Sequence, residues 1–402
     1  MNNLKYVELG EICEIVRGGS PRPIMDYITK DEDGVNWLKI GDVNETDKYF
    51  SHANEKIKQS GISKTRPVVT GDLILSNSMS YGRAFITLID GYIHDGWLRL
   101  RCDESKVDKE YLYYFLISDF AQNQFRAIAT GSVVNNLKAD TVKMAKIALP
   151  SLKTQKIIAS ILSLFDDKIE NNKAINRNLS ELLDLMYKND YLDEVVNHKD
   201  WIEVTMDDIT SKFATGLNPR KNFVLGHGEN YYVTIKNMNN NRVYLDSKCD
   251  MVDDDALVKI NKRSDLQVGD LLFSGIGTIG RVHLIDEPPT NWNISESIFT
   301  MRPSKVVTSE FLYLLFLSYD MQDYALSLAS GSVQKGIRMA DLKRYKLYLP
   351  SKEDMDRLTS TWKPLIDQIK KFERENDELA ILRDTLLRKL MSGELDVSNL
   401  DI

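Results

Sequence analysis

Apolar residues follow two periodicities along this chain, and the order in which they alternate occurs twice. Short apolar runs over 35–40, 72–75, 84–89 and 97–101, bounded by Gly and Asp turns, predict strands. A helical face over 109–127 interrupts them, carried by Tyr111, Leu112, Phe115, Leu116 and Phe120. The same succession returns with strands predicted over 231–235, 270–273, 282–285 and 297–301 and a helix over 310–328. After each set the pattern changes. From 154 to about 188, Ile158, Ile161, Phe165, Ile175, Leu179, Leu182 and Met186 fall at alternating three- and four-residue steps once polar Lys168 and Asn172 are included, which makes a heptad seam. Its counterpart runs through Leu365, Ile369, Phe372, Asn376, Leu379, Leu386 and Leu390, with Arg383 at one seam position. Each stretch predicts a helix of about 30 residues, roughly 45 Å long. Pro364 marks a start or a kink in the second.

The recurrence is literal. Gly131-Ser132-Val133 followed by Leu149-Pro150-Ser151 returns 200 positions later as Gly331-Ser332-Val333 followed by Leu349-Pro350-Ser351. Gly71-Asp72 with Gly82-Arg83 returns 198 positions later as Gly269-Asp270 with Gly280-Arg281. Solenoid periods run about 20–50 residues, so a repeat this long is a duplicated domain with its helix. The expected architecture is α+β: a first domain over 1–150, a helix over 151–195, a second domain over 196–350 and a last helix over 351–402. The two helices would pair antiparallel as a coiled coil, registered by an Asn176 to Asn376 amide contact, with the domains related by a pseudo-two-fold axis. The competing reading buries each helix against its own domain.

Composition narrows the classes. Apolar content of 43% and charged content of 28% are those of a soluble globular protein. No apolar run approaches the roughly 18 residues of a membrane span, and the opening Met1-Asn2-Asn3-Leu4-Lys5 lacks a secretory apolar core, so the expected compartment is the cytoplasm. Cys13, Cys102 and Cys249 are scattered and the five histidines dispersed, which indicates neither disulfides nor a metal site. The net charge of −7 argues mildly against a nucleic-acid binder, although the two domains are near neutral and the helical stretches carry most of the deficit.

Gly275-Ile276-Gly277-Thr278-Ile279-Gly280 fits a dinucleotide-binding fingerprint, but its repeat, Asn77-Ser78-Met79-Ser80-Tyr81-Gly82, keeps one glycine, and strand rather than helix follows both. Glu287-Pro288-Pro289-Thr290 is the nearest approach to an adenine-methyltransferase loop and lacks its stacking ring. No nucleophile elbow, P-loop or zinc-protease motif is present, so no catalysis is expected. What remains are polar and basic loops at matching positions, suited to phosphates and base edges. In the first half these offer Arg17, Ser20, Arg22, Lys39, Ser76, Asn77, Ser80, Tyr81, Arg83, Ser132, Asn135, Asn136 and Lys138. In the second they offer Asn218, Arg220, Lys221, Lys236, Asn237, Ser274, Thr278, Arg281, Ser332, Gln334, Lys335 and Arg338. The glycines repeat while their neighbours diverge. Turn building alone explains the glycines; divergence around them is what a common scaffold with different readout residues would show.

On these features the chain resembles the specificity subunits of type I restriction-modification systems over essentially its full length. It supplies their Gly-Ser loop and Leu-Pro segment ahead of each long helix, at Gly131-Ser132 and Leu149-Pro150 and at Gly331-Ser332 and Leu349-Pro350. One departure stands at the helix starts, where the family's Glu-Gln pair is Thr154-Gln155 and then Asp354-Met355. The resemblance implies a non-catalytic subunit whose two target-recognition domains read the halves of an interrupted DNA site. It also implies two modification subunits held on the helices, carrying S-adenosylmethionine, and a restriction subunit using ATP and Mg. A self-sufficient DNA adenine methyltransferase and a coiled-coil scaffold without DNA readout stay open as alternatives.

Overall fold

The computed structural model describes residues 5–43, 47–78, 81–129, 136–331 and 335–400. Ser80, Ser132, Asn135, Ser332 and Gln334 lie outside the described residues. The chain forms two compact units, one from 1–172 with 375–402 and the other from 173–374. Each unit joins one strand-rich domain to parts of both long helices.

The first unit carries two five-stranded sheets. One orders Cys13–Arg17, Trp97–Cys102, Leu73–Ser76, Ala84–Thr87 and Tyr49–Phe50; the other orders Ile28–Thr29, Glu55–Ile57, Val35–Leu38, Gly91–Ile93 and Arg66–Val68. The second unit keeps the plan with Thr210–Thr215, Ile298–Pro303, Leu271–Ser274 and Val282–Leu284 in one sheet and Asp250–Val252, Asn230–Val233 and Trp292–Ile294 in the other. It adds a helix, Asp254–Ser264, capped by the Asp253 carboxylate. Each single helix expected after the strands is two, Lys109–Ile117 and Asp119–Ile128 and then Ser309–Leu317 and Tyr319–Ser327. Ser118 and Ser318 take extended backbone at the breaks and accept from the amides of Ala121 and Met321, a cap that an apolar periodicity does not reveal.

The long helices α1 (Leu152–Tyr187) and α2 (Lys352–Met391) exceed their expected lengths. Ser151 and Ser351 cap them, each hydroxyl accepting from the amide three residues on. Pro364 lies inside α2 and does not start it. The divergent positions at the helix starts have separate tasks. Gln155, fully buried, donates to the Lys106 and Pro150 carbonyls and accepts from the Asp108 amide, whereas Met355 joins the apolar core of its unit.

Within each unit the helices run antiparallel. In the first, Ile158 shares a core with Leu387 and Leu390 while Asn172 reaches Asn376; in the second, Asn176 meets Ile369 while Tyr187 lies beside Trp362. The expected Asn176 to Asn376 pair does not form: Asn172 donates to Asn376 at 2.9 Å and to Glu375 at 3.0 Å, and Asn176 donates to the Ile369 carbonyl at 3.2 Å. The seam also shifts. Ile158 and Ile369 are buried, Phe165, Leu179, Leu365, Leu379 and Leu386 are half-buried, and Leu182 is 44% exposed while Leu183 takes its place inside. A straight helix drifts about 20° per heptad from a 3.5-residue repeat, and here the apolar face is shared with the domain: Ile157, Ile158, Ala159 and Leu162 pack into the same core as Tyr111, Leu112 and Phe115. The reading that buried each helix in a domain thus describes much of the contact, alongside the pairing. Among the described residues no helix is long and apolar enough to cross a membrane.

His283, on the strand Val282–Leu284, is pushed down to about 3 by burial and by Lys370, against one carbonyl contact from Asn241. The unfolded chain would take up that proton near pH 6.5, the folded chain only near 3, so the unfolded state binds more protons between them. Unfolding free energy from denaturant titration should be highest above pH 6.5 and fall as the pH drops toward 3. His283→Gln should flatten that fall, and an unchanged pH slope in the variant would show that His283 does not contribute.

Candidate nucleic-acid interface

In the first unit three loops converge at one end of the sheet because strand pairing brings their anchors together. Arg17, the last residue of its strand, pairs with Leu98, and Trp97 pairs with Ser76. The amide of Gly18 donates to Trp97, that of Asn77 to Gly96, and that of Leu137 to Asn77, which ties the loops after Arg17, Ser76 and Asn136 to the turn His94-Asp95-Gly96. The second unit repeats two of these ties: Gly275 donates to Ser297 and Ile337 to Gly275. Registering the strands equates Ile93 with Ile294, so His94-Asp95-Gly96 corresponds to Ser295-Glu296-Ser297.

One further glycine pair, Gly18 and Gly216 at the 198-residue offset, sits at this crossing. A Cβ on Gly18 would lie 2.3 Å from the His94 carbonyl oxygen, and one on Gly216 would lie 1.7 Å from that of Ile294. Only a bare backbone passes there. The repeated serines are equally structural: Ser76 and Ser274 are buried, and each hydroxyl accepts from the amide of Arg83 or Arg281 to close the following turn. Both therefore turn inward, away from any ligand.

Asp95 organises the first unit's site. Its Oδ1 accepts from Ser20 at 2.6 Å and lies 2.9 Å from His94 Nε2, and its Oδ2 lies 3.6 Å from Arg17 and 3.7 Å from Arg22. Its carbonyl accepts from Arg17 Nε and Asn77 Nδ2. Burial acts to raise the carboxyl, but Ser20, His94, Arg17 and Arg22 outweigh it and hold its pKa below the usual range. His94 is held down by burial and by the charges of Arg22, Lys39 and Arg17, against the opposing pull of Asp95. The side chains of Arg17 and Arg22 remain 60% and 74% exposed. Lys39 pairs with Glu55 nearby, and Asn136 and Lys138 are exposed.

The second unit keeps the frame and changes the chemistry. Arg17, Lys39, His94 and Asp95 become Thr215, Thr234, Ser295 and Glu296. The Tyr232 hydroxyl reaches the Leu217 carbonyl at 2.9 Å and the Glu296 carboxylate at 3.2 Å. Arg220, Lys221, Lys335, Arg338 and Thr278 are exposed, and Asn218 accepts from Asn222 within its own turn.

Several residues expected at the site are placed elsewhere. Asn77 is buried and serves the Asp95 turn. Asn237 is buried and accepts from the Thr234 amide, and Lys236 pairs with Asp250 at 3.2 Å. Arg281 donates to the carbonyls of Ile235 and Met238. Arg83 lines an open 330 Å³ cavity with Asp47, Tyr113, Gln122, Arg383 and Arg388, against α2 and not beside Arg17. Tyr81 packs against the apolar core. Side-chain type marked these residues as binders; burial and intramolecular carbonyls have used Asn77, Asn237 and Arg281, and a carboxylate pairs with Lys236. Asp95, His94 and Glu296 escaped the sequence reading because the repeat offset moves from 198 to 201 between Ser274 and Ser295, hiding their equivalence. His198, Asp200 and Asp354 also approach within 4.8 Å of one another, but Asp354 already accepts from Trp201 and Ser351.

A family model described as the type I restriction modification DNA specificity domain matches residues 1–181 and again 198–379. Among curated proteins, the chain is 23% identical to the type I restriction enzyme MjaIX specificity subunit of Methanocaldococcus jannaschii, over 98% of this chain and 94% of that one. It is 24% identical to the EcoBI specificity subunit of Escherichia coli, over 90% and 81%. Among solved structures, the type I restriction-modification S subunit from M. genitalium matches 99% of this chain and 98% of its own at 16% identity and a TM-score of 0.56, which is a likeness of fold.

The clash at the loop crossing gives a direct test. Gly18→Ala should displace the loop carrying Ser20 and Arg22 and cost on the order of 1–3 kcal/mol in overpacking. Gly41→Ala, with nothing within 4 Å of its Cβ, should leave stability and duplex binding unchanged. Thermal melting and a duplex-binding titration of the two variants would show this difference, and indistinguishable behaviour would refute the crossing constraint.

Proposed function

The chain belongs to the type I restriction-modification DNA specificity family, and we propose that it is the sequence-reading subunit of such a complex, each domain contacting one half of a bipartite DNA site. One observation carries this reading: the glycine crossing and loop ties recur in both domains while the outward side chains around Asp95 and around Glu296 differ. Maintaining a costly backbone arrangement twice with divergent surface chemistry suits two independent readers better than two copies of one binding site. The exposed cations Arg17, Arg22, Lys138, Arg220, Lys221, Lys335 and Arg338 supply donors for phosphate and base edges.

The long helices carry the modification subunits in this reading. Leu164, Leu182, Leu185, Ile381 and Leu382 are 44–71% exposed on α1 and α2, and large apolar side chains in that number on two helices favour a protein partner over solvent. The chain performs no chemistry itself; S-adenosylmethionine binds the modification subunits, and ATP with Mg binds a restriction subunit.

In the complex with its modification subunit, Arg22→Ala should weaken reading of one half-site and Arg220→Ala the other, each by about 1–3 kcal/mol for a lost base contact. Competition binding against duplexes altered in one half at a time would read this out, and loss of both halves from either change would overturn the modular reading. Labelled S-adenosylmethionine should be retained by the complex and not by the purified chain. Retention by the chain alone would favour a methyltransferase.

A further inference from the structure

The arrangement around Asp95 restricts what the first domain can read, on the premise that it reads DNA. A phosphate clamp is a set of cations with nothing negative among them. Here a carboxylate stands between two guanidiniums, 3.6 Å from Arg17 and 3.7 Å from Arg22. It is anchored from several sides: Ser20 donates to it at 2.6 Å, and Arg17 Nε and Asn77 Nδ2 hold its carbonyl at 2.9 and 3.0 Å. Asp95 is still 29% exposed, so it faces whatever the arginines face. The three charges still sum to a positive one, but a phosphate brought to either guanidinium also approaches a fixed negative charge and gains less there than at an arginine with no carboxylate beside it.

A base edge differs. The major-groove edge of a guanine·cytosine pair presents two acceptors, guanine O6 and N7, beside one donor, cytosine N4. Arginine supplies the paired donors for the first and a carboxylate the acceptor for the second. At 3.6–3.7 Å neither guanidinium is closed onto the Asp95 carboxylate in a short bidentate pair; Arg17 Nε is committed to the Asp95 carbonyl, and the terminal N–H groups of both arginines are able to turn to a base. The second domain keeps Arg220 and Glu296 at the places of Arg22 and Asp95 but has Thr215 in place of Arg17, so the pair of arginines about the carboxylate is missing there.

We propose that Arg17, Arg22 and Asp95 together read one guanine·cytosine pair in the half-site of the first domain, an arginine donating to guanine and Asp95 accepting from the cytosine amino group. Asp95 is then a specificity-determining residue, and its carboxylate both directs the arginines away from the backbone and completes the hydrogen-bond pattern.

The experiment uses the chain reconstituted with its modification subunit. Selection from randomised duplexes, with adenine methylation as a second readout, defines both half-sites. The half-site altered by Arg22→Ala should contain an invariant guanine·cytosine pair. Replacing that guanine by 7-deazaguanine, which removes the N7 acceptor, should weaken binding of the unmodified protein about tenfold, with no effect at guanines elsewhere in the spacer. Asp95→Asn should reduce discrimination at that pair about tenfold while the second half-site keeps its sequence. The 7-deazaguanine arm does not use Asp95→Asn and decides the matter if that variant fails to fold. An Arg22-dependent half-site without an invariant guanine·cytosine pair, or one indifferent to 7-deazaguanine, overturns the assignment and leaves DNA reading intact. Absence of base preference in both half-sites overturns the reading on which it rests.

Discussion

Burial of charge where the domains meet the long helices is the constraint on which the other features rest. In the first unit Lys48, 3% exposed, reaches from the strand side of the domain to Glu110 at 2.7 Å and Asp166 of α1 at 3.8 Å, and Arg383 of α2 closes on the same Asp166 at 2.6 Å. Burial alone would lower the Lys48 pKa; the Glu110 hydrogen bond and the surrounding carboxylates outweigh it and raise it. Two cations sharing one inward carboxylate leave no choice of register: sliding either helix by a turn would strand a buried charge, and breaking such a pair by removing one partner costs about 3–5 kcal/mol. The second unit solves the same problem from the other helix, with Arg242 of the domain 3.4 Å and Lys370 3.6 Å from Glu373 of α2. Burial dominates there and keeps the Glu373 carboxyl above its usual range despite both cations.

Such anchoring explains why heptad spacing was only half the story of α1 and α2. The spacing correctly indicated long, paired helices, and Ile158 and Ile369 fall inside as it requires. It misplaced Leu182 because a strict seam assumes that a helix has one partner. When a domain supplies part of the cover, the buried stripe widens and turns, and Leu183, Tyr187 and Asp166 occupy it. The repeat was the more informative signal, because duplication preserves backbone requirements regardless of side-chain environment. It indicated two α+β domains and located the loops. It could not separate a serine that closes a turn from one that meets a ligand, since Ser76 and Ser274 recur for the first reason while lying beside residues that diverge for the second.

The loops show how a single backbone can serve two chemistries. Gly18 and Gly216 fix where the chain crosses the turn after Ile93 and Ile294, and the ties from Leu137 and Ile337 fix the neighbouring loop. Neither device uses a side chain that faces outward. Positions around the crossing can therefore change without disturbing the frame: Thr215 at the place of Arg17, Ser295 at that of His94 and Tyr232 at that of the buried Trp37 alter charge and hydrogen-bond pattern and leave strand register unaffected. Arg281 sets the limit of this freedom. Its guanidinium is committed to the carbonyls of Ile235 and Met238, so substitution there would leave buried acceptors unsatisfied.

An acidic chain can still present a usable surface to DNA when its basic residues are concentrated and its acidic ones are internally matched. The net charge of −7 is a sum over the whole chain, whereas a groove responds to charges within about a Debye length, roughly 8 Å at physiological salt. Asp166, Asp72 and Asp270 are engaged by Arg383, Arg101 and Arg302 inside the units and project little field outward. Arg22, Arg220 and Lys221 stand on open loops. Each open cation that donates to a base edge makes no phosphate contact, so the more of them read bases, the smaller the share of the binding free energy that comes from counterion release. That division favours selectivity, because the sites that compete are those that binding to phosphate alone would hold.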